Sequence, residues 1–244
     1  MKRPLLGSIL TIAAASAAFG SFVTPAKAIG LVPDQEGEID VGVEIEDAEY
    51  LSNDLFPFIE SIISEVDETT GSRSRLFIDN FTTENEYVGG VSFRTRDSGT
   101  NAEGFLFRPS EYDEETGLSE ERGRLEVGTF TFNFNTLFEE LTISYFDTES
   151  VDSTGAIAIN GVALENPDWV PQGDNNNIFT QTFQDIESIT LKLGRDTISG
   201  SGDGVNFQIA GTPATATVPE PATLGGLAII GLALFGRRQL QKRC

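Results

Sequence analysis

The chain has 244 residues, 38 of them acidic and 16 basic, with no histidine and a single cysteine at the last position, Cys244. The lack of histidine excludes Ser–His and Cys–His nucleophilic catalysis and His-ligated zinc. A lone cysteine excludes an internal disulfide, and a net charge of −22 excludes nucleic acid as a partner, because like charges repel.

The first 28 residues read as a secretory signal peptide. Lys2 and Arg3 form a positive start, Leu5 to Ala18 an apolar stretch, and Ala26-Lys27-Ala28 a small-x-small cleavage site, so the mature chain is expected to begin at Ile29. Signal peptidase and the Sec export machinery are the partners this implies. Residues 29–70 are an acidic segment. Ile39, Val41, Val43 and Ile45 alternate with polar residues or glycine at a period of two, as in a strand. Leu55, Ile59, Ile62, Ile63 and Val66 follow at helical spacing behind Asp54, with Pro57 in the first turn. This spacing predicts one short helix from Leu55 to Val66.

Residues 71–210 read as a β domain. Short strands are expected at Arg75–Phe81, Val91–Thr95 and Gly104–Arg108, then a polar loop over 110–123. The segment Arg124–Asn135 carries Leu125 and Val127 at odd positions but Phe130, Phe132 and Phe134 at even ones. A one-residue slip would turn one set outward, so a β-bulge is expected at Gly128. Leu141 to Tyr145 alternates again. Residues 156–164 form a hairpin, because Asn160-Gly161 favours a type I′ turn. Residues 166–177 read as a loop, and Ile178–Phe183, Ile189–Leu193 and Val205–Ile209 as the closing strands. About ten strands separated by turn signals predict an antiparallel β-sandwich of jelly-roll type. Residues 211–218 are a small, polar linker.

The last 26 residues have three parts in order: Pro219-Glu220-Pro221, an apolar run from Ala222 to Gly236, and Arg237-Arg238 at the start of a basic end. Two prolines keep the tripeptide extended and non-helical, as a protease substrate must be. The apolar run is expected to lie in the membrane as a transmembrane helix, with Arg237 and Arg238 cytoplasmic. The fourteen residues Ala222–Phe235 reach ~21 Å as a helix, less than the ~30 Å hydrocarbon core, which suits a temporary anchor. This tail, residues 219–244, resembles the sorting signal of PEP-CTERM surface proteins. The resemblance implies export, membrane retention and processing by an exosortase. Leaving out both signals, residues 29–218 hold 37 acidic and 9 basic residues, a formal charge of −28.

A second resemblance runs through the domain. Ser74 to Asp79, Gly89 to Phe93, Phe107-Arg108-Pro109, Leu125-Glu126-Val127-Gly128, Phe146 to Glu149 and Gly202 to Val205 are similar to strings of a cyanobacterial PEP-CTERM group named for its LEVG motif. It implies the same localisation and no assigned activity.

Chemistry in the domain rests on carboxylates and aromatic rings. Glu126, Asp147 and Glu149 lie on or beside expected strands and are the candidates for a hydrolytic pair, which needs two acids ~5–9.5 Å apart across a sugar; the alternative is that Glu126 faces solvent and Asp147 to Glu149 end a strand. Asp174 with Asn175 to Asn177, and Asp203 with Gly204, match a calcium loop in composition but not in spacing, and Asp and Asn are also ordinary turn formers. Trp169 lies between prolines, where it can stack on a sugar or cover a core edge. The sequence therefore reads as a non-enzymatic cell-surface or extracellular-matrix protein without an obligatory cofactor. A carbohydrate- or calcium-binding module, with extracellular polysaccharide as partner, is the alternative, and a carboxylate hydrolase the third reading.

Overall fold

The computed structural model describes residues 27–67, 71–94, 104–123, 125–174, 176–195 and 204–214. Alternating apolar residues, many of them Phe and Ile, pair into thirteen strands: β1 Ile29–Gly30, β2 Gly37–Ile39, β3 Ile59–Glu65, β4 Arg73–Asp79, β5 Asn85–Tyr87, β6 Val91–Phe93, β7 Leu106–Asp113, β8 Leu118–Ser119, β9 Gly128–Phe146, β10 Gly155–Ile159, β11 Val162–Trp169, β12 Ile178–Leu193 and β13 Asn206–Pro213. Every ladder between these strands is antiparallel. The main sheet runs β11-β10-β12-β9-β13-β7-β4-β2, with β3 on β9, β1 on β13 and β8 on β7, while β5 and β6 pair only with each other. The described helical residues form only three-residue 3-10 turns, as at Asn53–Leu55.

The expected helix from Leu55 to Val66 is therefore corrected: most of it is strand β3. The cause is a bulge. Ile59 pairs with Phe134 but Ser61 with Asn133, so Glu60 is an extra residue. A bulge resets the pleat, and Ile59 and Ile62, three apart, both point into the core. That mimics helical spacing over one turn. Ile63 and Val66, which a helix would bury, are exposed.

The phase change near Gly128 is also made differently. Residues 128–133 pair one for one with 193–188 of β12, without an extra residue at Gly128. The strand simply begins there. Leu125 and Val127 are buried in an irregular lead-in, where the Val127 N–H donates to the Leu125 carbonyl at 2.9 Å. Gly128 serves close packing, since a Cβ would lie 2.6 Å from the Phe130 ring and 2.7 Å from the Ser74 Cβ. The real irregularity is further on. Between Asn133 and Phe138 β9 advances five residues while β12 moves back only from Ser188 to Ile186. Before this bend β9 has β3 on its other side; after it, β13. Inward residues accordingly switch from Phe130, Phe132 and Phe134 to Leu141, Ile143 and Tyr145.

The two halves of β9 enclose one core. Phe132, from the first half, meets Phe207 of β13 edge-on at 5.9 Å and Phe107 of β7 at 5.6 Å. The Asn160-Gly161 turn forms as expected, with both residues at positive φ and Ile159 paired to Val162. Expected pairs of short strands at 124–145 and 178–193 are each one long strand. β11 takes in Asn166 to Trp169 of the expected loop, and β13 the first three residues, 211–213, of the expected linker. Val41 and Val43 are buried outside any strand.

Candidate functional site

The core just described occupies one face of the β2-β4-β7 region. Its other face is also buried, and this second layer is polar. On β4, Leu76 and Ile78 enter the main core, whereas Phe77 belongs to a separate cluster with Val91 and Phe93 of the β5–β6 hairpin. By the two-residue period Arg75 and Asp79 share the face of Phe77. The small hairpin covers them.

Five charged side chains meet in this layer. Arg75 donates from Nε and Nη2 to both oxygens of Glu38 on β2, at 2.7 and 2.6 Å. Its Nη1 donates to the Val88 carbonyl at 2.7 Å, pinning the turn between β5 and β6. Gly89 sits in that turn at φ 72°, and a Cβ there would lie 2.8 Å from Arg75 Nη1. Arg108 of β7 donates to Asp79 at 2.9 Å and to Glu126 at 2.8 Å. Its guanidinium lies over the Phe93 ring at 4.0 Å, and that of Arg75 over Phe77 at 4.9 Å. Both arginines are 1% exposed or less. Fork geometry and stacking on aromatic faces are what arginine offers and lysine does not.

Burial dominates the electrostatics. The Asp79 carboxyl is held above its ordinary pKa because desolvation outweighs the pull of Arg108. The Tyr87 phenol is raised by burial first, then by Asp79, Glu36 and Glu38. Glu126 is placed by its neighbours. The Glu111 N–H donates to the Leu125 carbonyl at 3.1 Å, and the Val205 N–H to the Glu126 carbonyl at 2.8 Å. A Cβ at Gly204 would clash with the Glu126 carboxylate. Glu126 thus faces the interior and is bound to Arg108, where sequence reasoning left a solvent-facing residue as the alternative. The short strings at 74–79, 89–93, 107–109, 125–128 and 204–205 all contribute to this one layer, a convergence that a linear reading does not reveal.

Several clefts lie at the surface among the described residues, one of them reaching the layer at Glu38. A cleft of about 540 Å³ is lined by Glu36, Glu38, Asp47, Glu49 and Glu86 with Tyr50 and Tyr87. A groove of about 220 Å³ beside β1 and β13 has no ionisable side chain: Phe105, Thr142, Ser144 and Gln208 line it with Gly30, Val32, Ile209 and Ala210. An apolar groove of about 160 Å³ adjoins it across Gly30 and Val32.

The remaining sequence candidates separate. Asp147, at φ 67°, accepts the Asn176 N–H at 2.7 Å. Glu149 is exposed in the following loop. In the Asp174 loop, Asn177 is committed internally. Its Oδ1 accepts from the Thr148 hydroxyl at 2.8 Å, and its Nδ2 donates to the Thr148 and Asp174 carbonyls. These loop residues tie the β9 and β12 ends together, a structural use of the Asp and Asn side chains. Among the described residues no group of three or more acids, cysteines or histidines is arranged to hold a metal. Trp169 ends β11, half-buried and paired to Gly155.

Ala28 is described and exposed, next to β1. Ala26, Asp203, Pro219, Glu220, Pro221, Arg237, Arg238, Cys244 and the apolar run 222–236 lie outside the described residues. No helix among the described residues is long and apolar enough to cross a membrane.

What the chain presents is a mainly β, antiparallel domain followed by a C-terminal sorting segment. The family model of the PEP-CTERM protein-sorting motif matches residues 217–243. That motif implies exosortase recognition for processing and is consistent with export and a membrane-anchored precursor. No curated protein and no solved structure matches the chain.

Proposed function

We propose that this protein is a non-catalytic cell-surface or extracellular-matrix component, exported with an N-terminal signal peptide and released from its membrane anchor by an exosortase. The observation that carries the reading is the sorting motif at residues 217–243. The domain is read as a sandwich of jelly-roll type, supported by the two halves of β9 facing each other across one core. The non-catalytic assignment is supported by the use of the buried carboxylates: Asp79 and Glu126 are bonded to Arg108, and Glu38, which also lines the cleft of about 540 Å³, has both oxygens bonded to Arg75. The likeness to the LEVG group is kept as part of this reading because several of its strings meet in the same layer. Its strings supply Arg75, Arg108, Asp79 and Glu126 with glycines that let them pack, whereas Glu38 and the string 146–149 lie outside this overlap.

The test is replacement of Pro219, Glu220 and Pro221 by alanine. The variant is expected to stay in the membrane fraction at full length, read by fractionation and mass spectrometry. Wild-type-like release without the C-terminal segment would end this reading.

A second reading, binding of a neutral polysaccharide, is favoured by one observation. The groove at Phe105, Thr142, Ser144 and Gln208 has no charge, in a domain of formal charge −28. Hydroxyls, an amide and an aromatic edge are the groups that bind uncharged sugars. Ser144→Glu should abolish retention on the producing cell's own neutral polysaccharide while shifting stability by no more than about 0.5 kcal/mol. Unchanged retention would remove this reading and leave the first intact.

A further inference from the structure

We infer that β1 masks the bond at which the signal peptide is removed, so that signal removal and closure of the sheet are alternative uses of the same residues. The inference rests on the export reading above. The cleavage site predicts hydrolysis of the Ala28–Ile29 peptide bond by water, giving a carboxylate on Ala28 and a free amine on Ile29. No spacer separates that bond from the fold. Ile29 and Gly30 are β1, paired with Gly211 and Ala210, and the Leu31 N–H donates to the Ile209 carbonyl at 2.8 Å. A peptidase must bind the residues on both sides of its bond through their own backbone groups. In the closed sheet the backbone groups of Ile29 face Gly211 in the ladder and the Leu31 N–H is held by Ile209, while those of Gly30 point away from β13. Cutting of a folded chain then follows the population in which the segment has opened.

The partner strand fixes the order. β13 is the last strand among the described residues yet lies inside the sheet, between β9 and β7. β1 cannot dock until residues 206–213 have crossed the membrane, which is most of the chain after Ile29 has done so. The bond is open for that interval and is masked afterwards. The other end behaves oppositely. β13 ends at Pro213, and residues 214–218 separate it from Pro219. A cut at the tripeptide leaves every β13 pair in place. The signal is therefore removed from an open sheet, and the anchor from a closed one. Because β1 and β13 are antiparallel, both membrane-directed ends leave the domain side by side.

The experiment locks β1 in the full-length chain. Gly30→Cys and Ala210→Cys are combined with Cys244→Ser, which removes the native thiol. A Cβ at Gly30 meets nothing within 4 Å. Gly30 and Ala210 are a directly opposed pair without mutual ladder bonds, the type with Cα atoms about 4.5 Å apart, inside disulfide reach. The purified precursor is incubated in detergent with signal peptidase, oxidised or reduced. The unsubstituted precursor is run beside it, folded or freshly diluted from urea. The oxidised chain is expected to remain uncut and the reduced one to be cut after Ala28. The urea-diluted wild type should be cut faster than the folded one. Equal rates in both comparisons would overturn the inference alone. A chain never cut after Ala28, even unfolded, would overturn the export reading and this inference with it.

Discussion

Arg108→Ala is expected to destabilise the domain by about 3–5 kcal/mol, the range for removing one partner of a buried ion pair. Arg108 is 1% exposed and serves Asp79 and Glu126 together. Its loss leaves two acids facing each other in a dry layer, and it also removes the cation over Phe93. At the ~2–4 °C per kcal/mol usual for domains of this size, the melting temperature should fall by about 6–20 °C. The deficit depends on pH, and its sign follows from Asp79. The carboxyl already has a folded pKa above its unfolded value. An acid shifted this way carries its full burial penalty above the folded pKa, and the penalty is relieved as pH falls toward the unfolded value. Without Arg108 the shift grows. The gap between Arg108→Ala and wild type should therefore narrow from about pH 8 to about pH 5, read by thermal melts in each buffer. A gap that widens toward acid would mean that Arg108 acts through packing and not through its carboxylates. Adding Asp79→Asn and Glu126→Gln to the variant should restore part of the loss at neutral pH, since buried groups without charge no longer need the guanidinium.

Phe132→Ala should cost about 3–5 kcal/mol by a different route. The ring is fully buried where β7, β9 and β13 meet, edge-on to Phe107 at 5.6 Å and to Phe207 at 5.9 Å. Three strands surround the vacancy, so the site cannot collapse without moving ladders. Aromatic edge contacts add to the area lost. A urea titration should show a lower midpoint. Thr142→Ala, on the outer face of the same strand, should stay within about 0.5 kcal/mol. A Phe132 variant as stable as the Thr142 one would mean that β9 does not place its even-numbered phenylalanines in the core.

Exosortase release and these two stability effects are separable. The sorting tripeptide lies beyond β13, whereas Arg108 and Phe132 act inside the sheet. Fractionation reports the first and melting the others.

Much of this organisation was legible in local residue order. The C-terminal motif is read along the chain by its order of proline, apolar and basic parts. The Asn160-Gly161 turn needs only two residues that accept positive φ. Alternation marks Phe130, Phe132 and Phe134 as one buried face because the pleat has a period of two. These signals are local, so a linear reading suffices. Tertiary pairing decided the rest. The bulge at Glu60 gave β3 its helix-like spacing, and pairing with β9 prevails because an isolated helix of ~12 residues is marginal in water. The bend of β9 exists because its two halves have different neighbours, β3 and β13. The charged layer was hidden for the same reason. Glu38, Arg75, Asp79, Arg108 and Glu126 are up to 88 residues apart, and although Glu126 stood out on an expected strand, no local pattern pairs it or the others among the charges of a strongly acidic chain. Only when β2, β4 and β7 lie side by side under the β5–β6 hairpin do they lose water together, and desolvation is what makes their pairing consequential.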